Sequence, residues 1–322
     1  MASVAIIGAG ISGLACAKTL SENGHAPTLF DKSRGFGGRL CTKRTALGRF
    51  DHGAQYITAR DPRFDTVVQQ LRAADAVAAW DGRFGLFDGC DFQDTNLTTT
   101  RWVGTPRMSA IGRALSVGLP CHLSHRIVAI RKQNDGWYLD ADVESNLGPF
   151  DMVVVTCPGP QAAALLPSYS ILREVADHLE YFPCWAAMCA YSETLKIDYD
   201  GFHLNKSLLS WACRDNSKPG REPGERWVLH ADPDWSRDNL ELNAADAERL
   251  ILDSFHEFSE SKPSQVYVHR WRYALSVEGD GQAALFDEQA GLGLCGDALS
   301  TPKVEGAWLS GHKMAELLMT AI

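Results

Sequence analysis

Residues 4–7, VAII, are four consecutive apolar positions, the signature of a strand buried on both faces. Leu14, Ala17 and Leu20 then recur at helical spacing, and Gly24 is a natural stop before a second strand, APTLF, which ends on Asp31. Helical spacing returns at 63–74 and at 243–258, where Ala247, Leu250, Ile251, Phe255 and Phe258 fall on one side. Between 126 and 156 the pattern predicts three strands, RIVAIRK, WYLDADV and DMVVVT, joined as a meander by turns at Asn134-Asp135-Gly136 and Asn146-Leu147-Gly148. Further strands are expected at 184–192, 203–213, 226–231 and 265–274, and the polar stretch DNSKPGREPGE (215–225) reads as an exposed hairpin loop. Near the C-terminal end, GLGLC (291–295) is a short buried strand and VEGAWLSGHKMAELL (304–318) a helix. In QVYVHRWRYAL, Tyr267, His269, Trp271 and Tyr273 alternate with Val268, Arg270 and Arg272, so one face of that strand is aromatic.

Composition narrows the picture. The 322 residues are enough for about two domains, and 45% apolar with 22% charged residues indicates a globular protein. A net charge of −9 argues against nucleic acid as a partner, because that interaction depends on Lys and Arg neutralising phosphates. Nine cysteines without a C-x-x-C pair suggest free thiols in a reducing compartment. Cys121, His122 and His125 lie close in sequence, but strand alternation sends His122 to one face and the other two to the opposite face, so no metal is expected. No basic leader precedes the first apolar run, and no apolar stretch reaches membrane-spanning length, so the expected location is cytoplasmic, with no membrane partner.

The candidate chemistry begins at GAGISG. Gly8 permits a tight turn, Gly10 lets backbone approach a diphosphate, and Gly13 lets the helix pack against the strand, while Ile11 and Ser12 carry first-turn N–H groups. Asp31, eighteen residues beyond Gly13, stands where a carboxylate accepts ribose hydroxyls. This unit serves NAD and FAD equally.

A second glycine-rich stretch follows at once, DKSRGFGGRL (31–40), with Arg34 and Arg39 as forked donors. From here the chain resembles the flavin amine oxidase superfamily, whose members carry R-G-x-G-G-R after their first glycine motif. The resemblance implies FAD, with Lys32, Gly38, Arg39 and Leu40 among the cofactor-binding residues, Arg39 approaching the diphosphate, and Gly53, Ala54, Gln55 and Tyr56 of DHGAQYI beside the isoalloxazine. It also places Ile127 and Val128 at the adenine, Gly296 and Asp297 at the ribitol, and Val304 and Glu305 at the flavin pyrimidine. A helix N-terminus at that last point would stabilise the negative charge that reduction brings. Cys295 precedes the Gly-Asp pair and is expected to be buried, so the FAD is noncovalent.

The implied fold is α/β: a Rossmann-type FAD-binding domain of parallel sheet plus β-meander with a discontinuous α+β substrate domain, similar to p-hydroxybenzoate hydroxylase and amine oxidase folds. The FAD-binding domain would comprise 1–60, 100–164 and 276–322, and the substrate domain 61–99 and 165–275. No G-x-S-x-G elbow supports a hydrolase. Hydride transfer to flavin N5 demands orientation more than a nucleophile, so no catalytic side chain is singled out. The substrate-pocket candidates are Gln55, Tyr56, His269, Trp271, Tyr273 and Lys303. Amine oxidases usually carry a tyrosine where Lys303 stands, and a cation there suits an anionic or carbonyl-bearing substrate better than an amine. Within the superfamily the chain looks most like the renalase family, which implies oxidation of 1,2- or 1,6-dihydro-NAD(P) to NAD(P)+, with O2 reduced to H2O2. An amine oxidase or related C–N or C–C dehydrogenase, and a non-enzymatic FAD-binding redox sensor, are the alternatives.

Overall fold

In the computed structural model, which describes residues 1–46, 48–95, 98–277, 279 and 281–321, the strand Ser3–Ile7 runs parallel to Ala26–Asp31 on one side and Met152–Val155 on the other. Val4, Ala5 and Ile6 are inaccessible to solvent, as an unbroken apolar run sandwiched in a sheet should be. The six-stranded sheet has the order Ala284–Asp287, Leu292–Cys295, Met152–Val155, Ser3–Ile7, Ala26–Asp31, Cys121–Leu123, parallel except for its first pair. Helices Ile11–Glu22 and Val304–Ala321 pack together on it. They pack so closely that a Cβ on Gly311 would overlap the Ser12 carbonyl oxygen.

The meander differs from the one expected. Its strands are Ile127–Gln133, Gly136–Ala141 and Leu147–Phe150, whereas Met152–Val155 of DMVVVT belongs to the parallel sheet. Four apolar residues without alternation suit a central strand, and Pro149, which has no N–H to donate, is tolerated on a meander edge. Similarly, the strand expected over 203–213 is two, Gly201–Leu204 and Leu209–Arg214. With Gln265–Ser276, Tyr181–Tyr191, Glu225–Ala231, Phe84–Phe87 and Phe92–Asp94 they form a seven-stranded sheet. Helix Ala244–Phe255 lays Ala247, Ile251 and Phe255 on one face of that sheet, while the apolar core of the six-stranded sheet continues onto the other through Met188 and Val228.

Two other expectations fail locally. The 215–225 stretch joins the antiparallel pair Leu209–Arg214 and Glu225–Ala231 as a hairpin and exposes Gly220 and 222–224, but it is not exposed throughout, because Asp215, Lys218 and Glu225 are buried. His125 does not point away from His122: the strand stops at Leu123, Ser124 turns with φ +58°, and the two imidazoles meet at 5.3 Å. Among the described residues no helix is long and apolar enough to cross a membrane.

Gly311→Val should destabilise the protein by about 1–3 kcal/mol, the usual cost of overpacking a tight contact. Urea unfolding of the flavin-loaded protein would read this, and an unchanged midpoint would refute the helix packing described.

Candidate active site

The first helix starts at Gly10 with no side chain capping its open N–H groups, and a Cβ on Gly10 would meet nothing within 4 Å. The second glycine stretch closes over this point. Gly37, at φ +97°, forms a bridge with Gly10 and donates its N–H to the Ala9 carbonyl at 2.8 Å. Asp31 accepts the Ala9 N–H at 2.7 Å and the Ser33 N–H at 2.7 Å, so the carboxylate at the end of the second strand braces both loops. His125 donates its N–H to the Asp31 carbonyl, which brings the start of the meander, Ile127 and Val128, beside the same corner. Ile127 is buried, Val128 is exposed, and Lys32 is exposed and bonded to Gln161.

Beyond the cradle, Arg39 forks onto Asp297, with Nη1 to Oδ2 at 2.8 Å and Nη2 on Oδ1, and Nη1 also reaches the Ala274 carbonyl. Ser276 donates to the same Asp297 carboxylate at 2.8 Å. Two residues assigned by the resemblance to neighbouring parts of one ligand are thereby in contact. Gly296 borders open space on its Cβ side, and its N–H is held by Ser310. Uncapped helix N–H groups, bare glycines and an adjacent guanidinium are a donor set that fits a dinucleotide diphosphate.

The 51–57 segment is laid directly on the second glycine stretch. Ala54 donates to the Arg39 carbonyl at 3.0 Å, and a Cβ on Gly53 would overlap that same oxygen. Its own carbonyls are bonded from beneath: Gln55 Nε2 reaches the Asp51 and Gly53 oxygens, and Trp271 Nε1 (3.0 Å) and His230 Nε2 (3.2 Å) reach His52. Gln55 is thus turned inward as a brace.

Its partners form a buried charge cluster that the sequence pattern concealed. Lys218, fully buried, donates to Asp215 Oδ1 at 2.6 Å and to Gln55 Oε1 at 2.9 Å. Arg221 forks onto Asp51 Oδ2, while Asp51 Oδ1 accepts from Thr42 and the Met108 N–H. Burial pushes the Asp51 carboxyl up, but Lys218 and Arg221 outweigh it and hold the pKa below the ordinary value. At Asp215 burial prevails and the pKa is raised. These ions lie in a stretch whose Pro, Gly and charge content reads as loop, and no periodicity betrays that Asp51 is their partner.

The aromatic strand forms a wall along this floor. His269 and Trp271 meet at 4.5 Å, and each packs on His52, at 4.9 and 5.1 Å. Tyr273 lies farther along, against Tyr181. Arg270 and Arg272, on the other face, both pair with Glu241, as strand alternation requires. Tyr56 stands apart from this wall, among Trp80, Trp211 and the Arg101 guanidinium. Lys303 is exposed just before the last helix. Glu305 turns its carboxylate onto the Arg60 and Asp61 N–H groups, so Val304 and Glu305 can offer a ligand only backbone at that helix start. Cys295 is buried and accepts from Ser12, its thiol pushed up to about 12 by burial.

Comparison with known proteins places this geometry. Residues 6–71 match the NAD(P)-binding Rossmann-like domain model, and residues 97–319 match that of the flavin containing amine oxidoreductases. Renalase of Mus musculus is 24% identical over 313 residues, covering 85% of each chain. Among solved structures, cyclohexylamine oxidase from Brevibacterium oxydans IH-35A superimposes with TM-score 0.76 at 14% identity, over 99% of both chains. A reduced UDP-galactopyranose mutase does so with TM-score 0.78 at 10% identity, over 100% of this chain and 96% of its own. An oxidase and a mutase fitting equally well show that the fold alone does not select the reaction.

Burial, with His269 and His230 nearby, pushes the His52 pKa down to about 3, and burial pushes His230 down to about 4. Both are neutral when folded and protonate near 6.5 when unfolded, so their stabilisation is complete above that value and is lost as pH falls toward the folded pKa values. Between pH 7 and pH 5 each should cost on the order of 2 kcal/mol. Urea midpoints of wild type and His52→Gln at those two pH values would show it, with the smaller pH dependence expected in the variant.

Proposed function

The chain belongs to the flavin containing amine oxidoreductase family, as a renalase-like member with FAD as its cofactor, and from that premise we propose that it is an oxidase of dihydronicotinamide dinucleotides. The substrates would be 1,2- or 1,6-dihydro forms of NAD(P), the products NAD(P)+ and H2O2. What supports this reading is the extent of the likeness to mouse renalase, 24% identity covering 85% of both chains.

FAD, held noncovalently, would supply the hydride acceptor at N5 and pass the electrons to O2. The chain's own work is binding and orientation. Gly10, Ile11 and Ser12 would turn N–H groups to the diphosphate, with Gly8, Gly13, Lys32, Gly38, Arg39 and Leu40 shaping its surroundings. Asp31 would serve the ribose, Ile127 and Val128 the adenine, and Gly296 and Asp297 the ribitol. Residues 53–56 and the backbone of Val304 and Glu305 would border the ring system. His52, His269 and Trp271 offer an uncharged, water-excluding wall for the nicotinamide ring. Neutral imidazoles and an indole face tolerate the pyridinium that forms, where a protonated histidine would repel it. Losing hydride from an N-substituted dihydropyridine requires no proton removal, so the neutral imidazoles of the wall need not act as bases.

A division into two domains would suit this arrangement. All strands of the parallel sheet fall within 1–60, 100–164 and 276–322, and the seven-stranded sheet falls within 61–99 and 165–275 to within one residue. The substrate would lie between them, in a cytoplasmic protein.

Anaerobic mixing with either dihydro isomer should bleach the flavin absorbance, with NAD(P)+ as product. Failure of both isomers, with peroxide released from an amine panel, would replace this reading by amine oxidation. Gly10→Glu should fold, since its Cβ faces open space, yet purify colourless because its carboxylate meets the FAD phosphates. A yellow variant would overturn that placement.

A further inference from the structure

Arg101 is 6% exposed, and among the described residues its guanidinium makes no hydrogen bond and no ion pair, although its backbone carbonyl accepts the Trp80 N–H. Its Nε is buried without an acceptor. Among the described residues every other deeply buried cation is provided for: Lys218 by Asp215, Arg221 by Asp51, and Arg226, whose Nε also lacks an acceptor, by the carbonyls of Glu222 and Pro223. A buried guanidinium with no counter-charge costs several kcal/mol, so its retention calls for a ligand.

The position of Arg101 indicates which ligand. Ile57 and Trp102 exchange N–H to carbonyl bonds at 2.8 Å each way, and that bridge sets Arg101 beside Tyr56. The guanidinium lies 3.7 Å over the Phe84 ring and 5.0 Å from that of Tyr56. Trp80 packs edge-on against Phe84 at 4.8 Å, Trp211 packs on Tyr56, and His203 packs on Trp211. Aromatic faces fix the plane of the fork without consuming its donors.

We propose that Arg101 anchors a phosphate oxyanion of the substrate beside Tyr56. This deepens the function proposed above and rests on it: a dihydronicotinamide dinucleotide carries a diphosphate, and a planar fork with free donors matches such an oxyanion in a two-bond contact. Arg101 would therefore separate phosphorylated from unphosphorylated substrates, whereas Lys303, the cation expected to suit an anionic or carbonyl-bearing substrate, is exposed.

The test uses flavin-loaded wild type, Arg101→Met and Arg101→Lys. Inorganic diphosphate should raise the melting temperature of wild type saturably, less for Arg101→Lys and not for Arg101→Met. Without ligand, Arg101→Met should be no less stable than wild type, because it removes an uncompensated charge; a structural role would lower its melting temperature. With a dihydronicotinamide dinucleotide, KM should rise about 10- to 100-fold in Arg101→Met, the loss of a charge-assisted bond, with a smaller change in kcat. For the phosphate-free dihydronicotinamide riboside the loss should shrink to under about threefold. Equal diphosphate protection of wild type and Arg101→Met would overturn the proposal, as would protection by acetate but not by diphosphate. Should wild type oxidise no dihydronicotinamide while diphosphate protection still depends on Arg101, the anchor stands and the substrate reading falls. Brisk turnover that is indifferent to Arg101→Met means the reverse.

Discussion

The structure depends on how closely backbones approach one another around the start of the first helix. A Cβ on Gly13 would overlap the Gly8 carbonyl, one on Gly311 the Ser12 carbonyl, and one on Gly53 the Arg39 carbonyl. The first contact seats the helix on its strand and the second brings the last helix to the same place. The third lays the 51–57 segment on the second glycine stretch. Residues far apart in sequence thus converge on one line, from Gly10 through Arg39 and Asp297 to His52. A larger side chain at any of these points would push the helix end or the loops apart and strain the cradle.

Charge buried behind that line keeps it in place. Asp51, Asp215, Lys218 and Arg221 form two interlocked ion pairs, and Gln55 links them to the segment that carries Gly53 and Tyr56. Such a cluster adds little net stability compared with apolar packing, but it penalises every arrangement that leaves one member unpaired. It therefore specifies the loop's path. The rings beside it show the complementary principle: His52 and His230 are kept neutral by burial.

How much of this was legible in the sequence follows from the range of each signal. Gly8, Gly10, Gly13 and Asp31 form a local unit of fixed spacing, and the strand, helix and strand around them appear where the pattern predicts. The alternation of Gln265–Ser276 likewise separates its aromatic face from the arginines that meet Glu241. The meander was misread because DMVVVT and LGPF compete for the same partner, and only the three-dimensional sheet shows which pairs with Ser3–Ile7. The burial of the Lys218 and Arg221 cations is invisible in the sequence because their partner Asp51 lies more than 160 residues earlier. Arg101 escaped notice for the converse reason: what distinguishes it is a missing partner, which no sequence pattern records.

The most direct test of the central claim is a crystal structure of the flavin-loaded protein. The expected density places the FAD diphosphate at the N–H groups of Gly10–Ser12 with Arg39 beside it, and runs the isoalloxazine along residues 53–56 toward the start of Val304–Ala321. Density for the diphosphate away from the first helix, or an isoalloxazine that does not reach the 53–56 backbone, would contradict it.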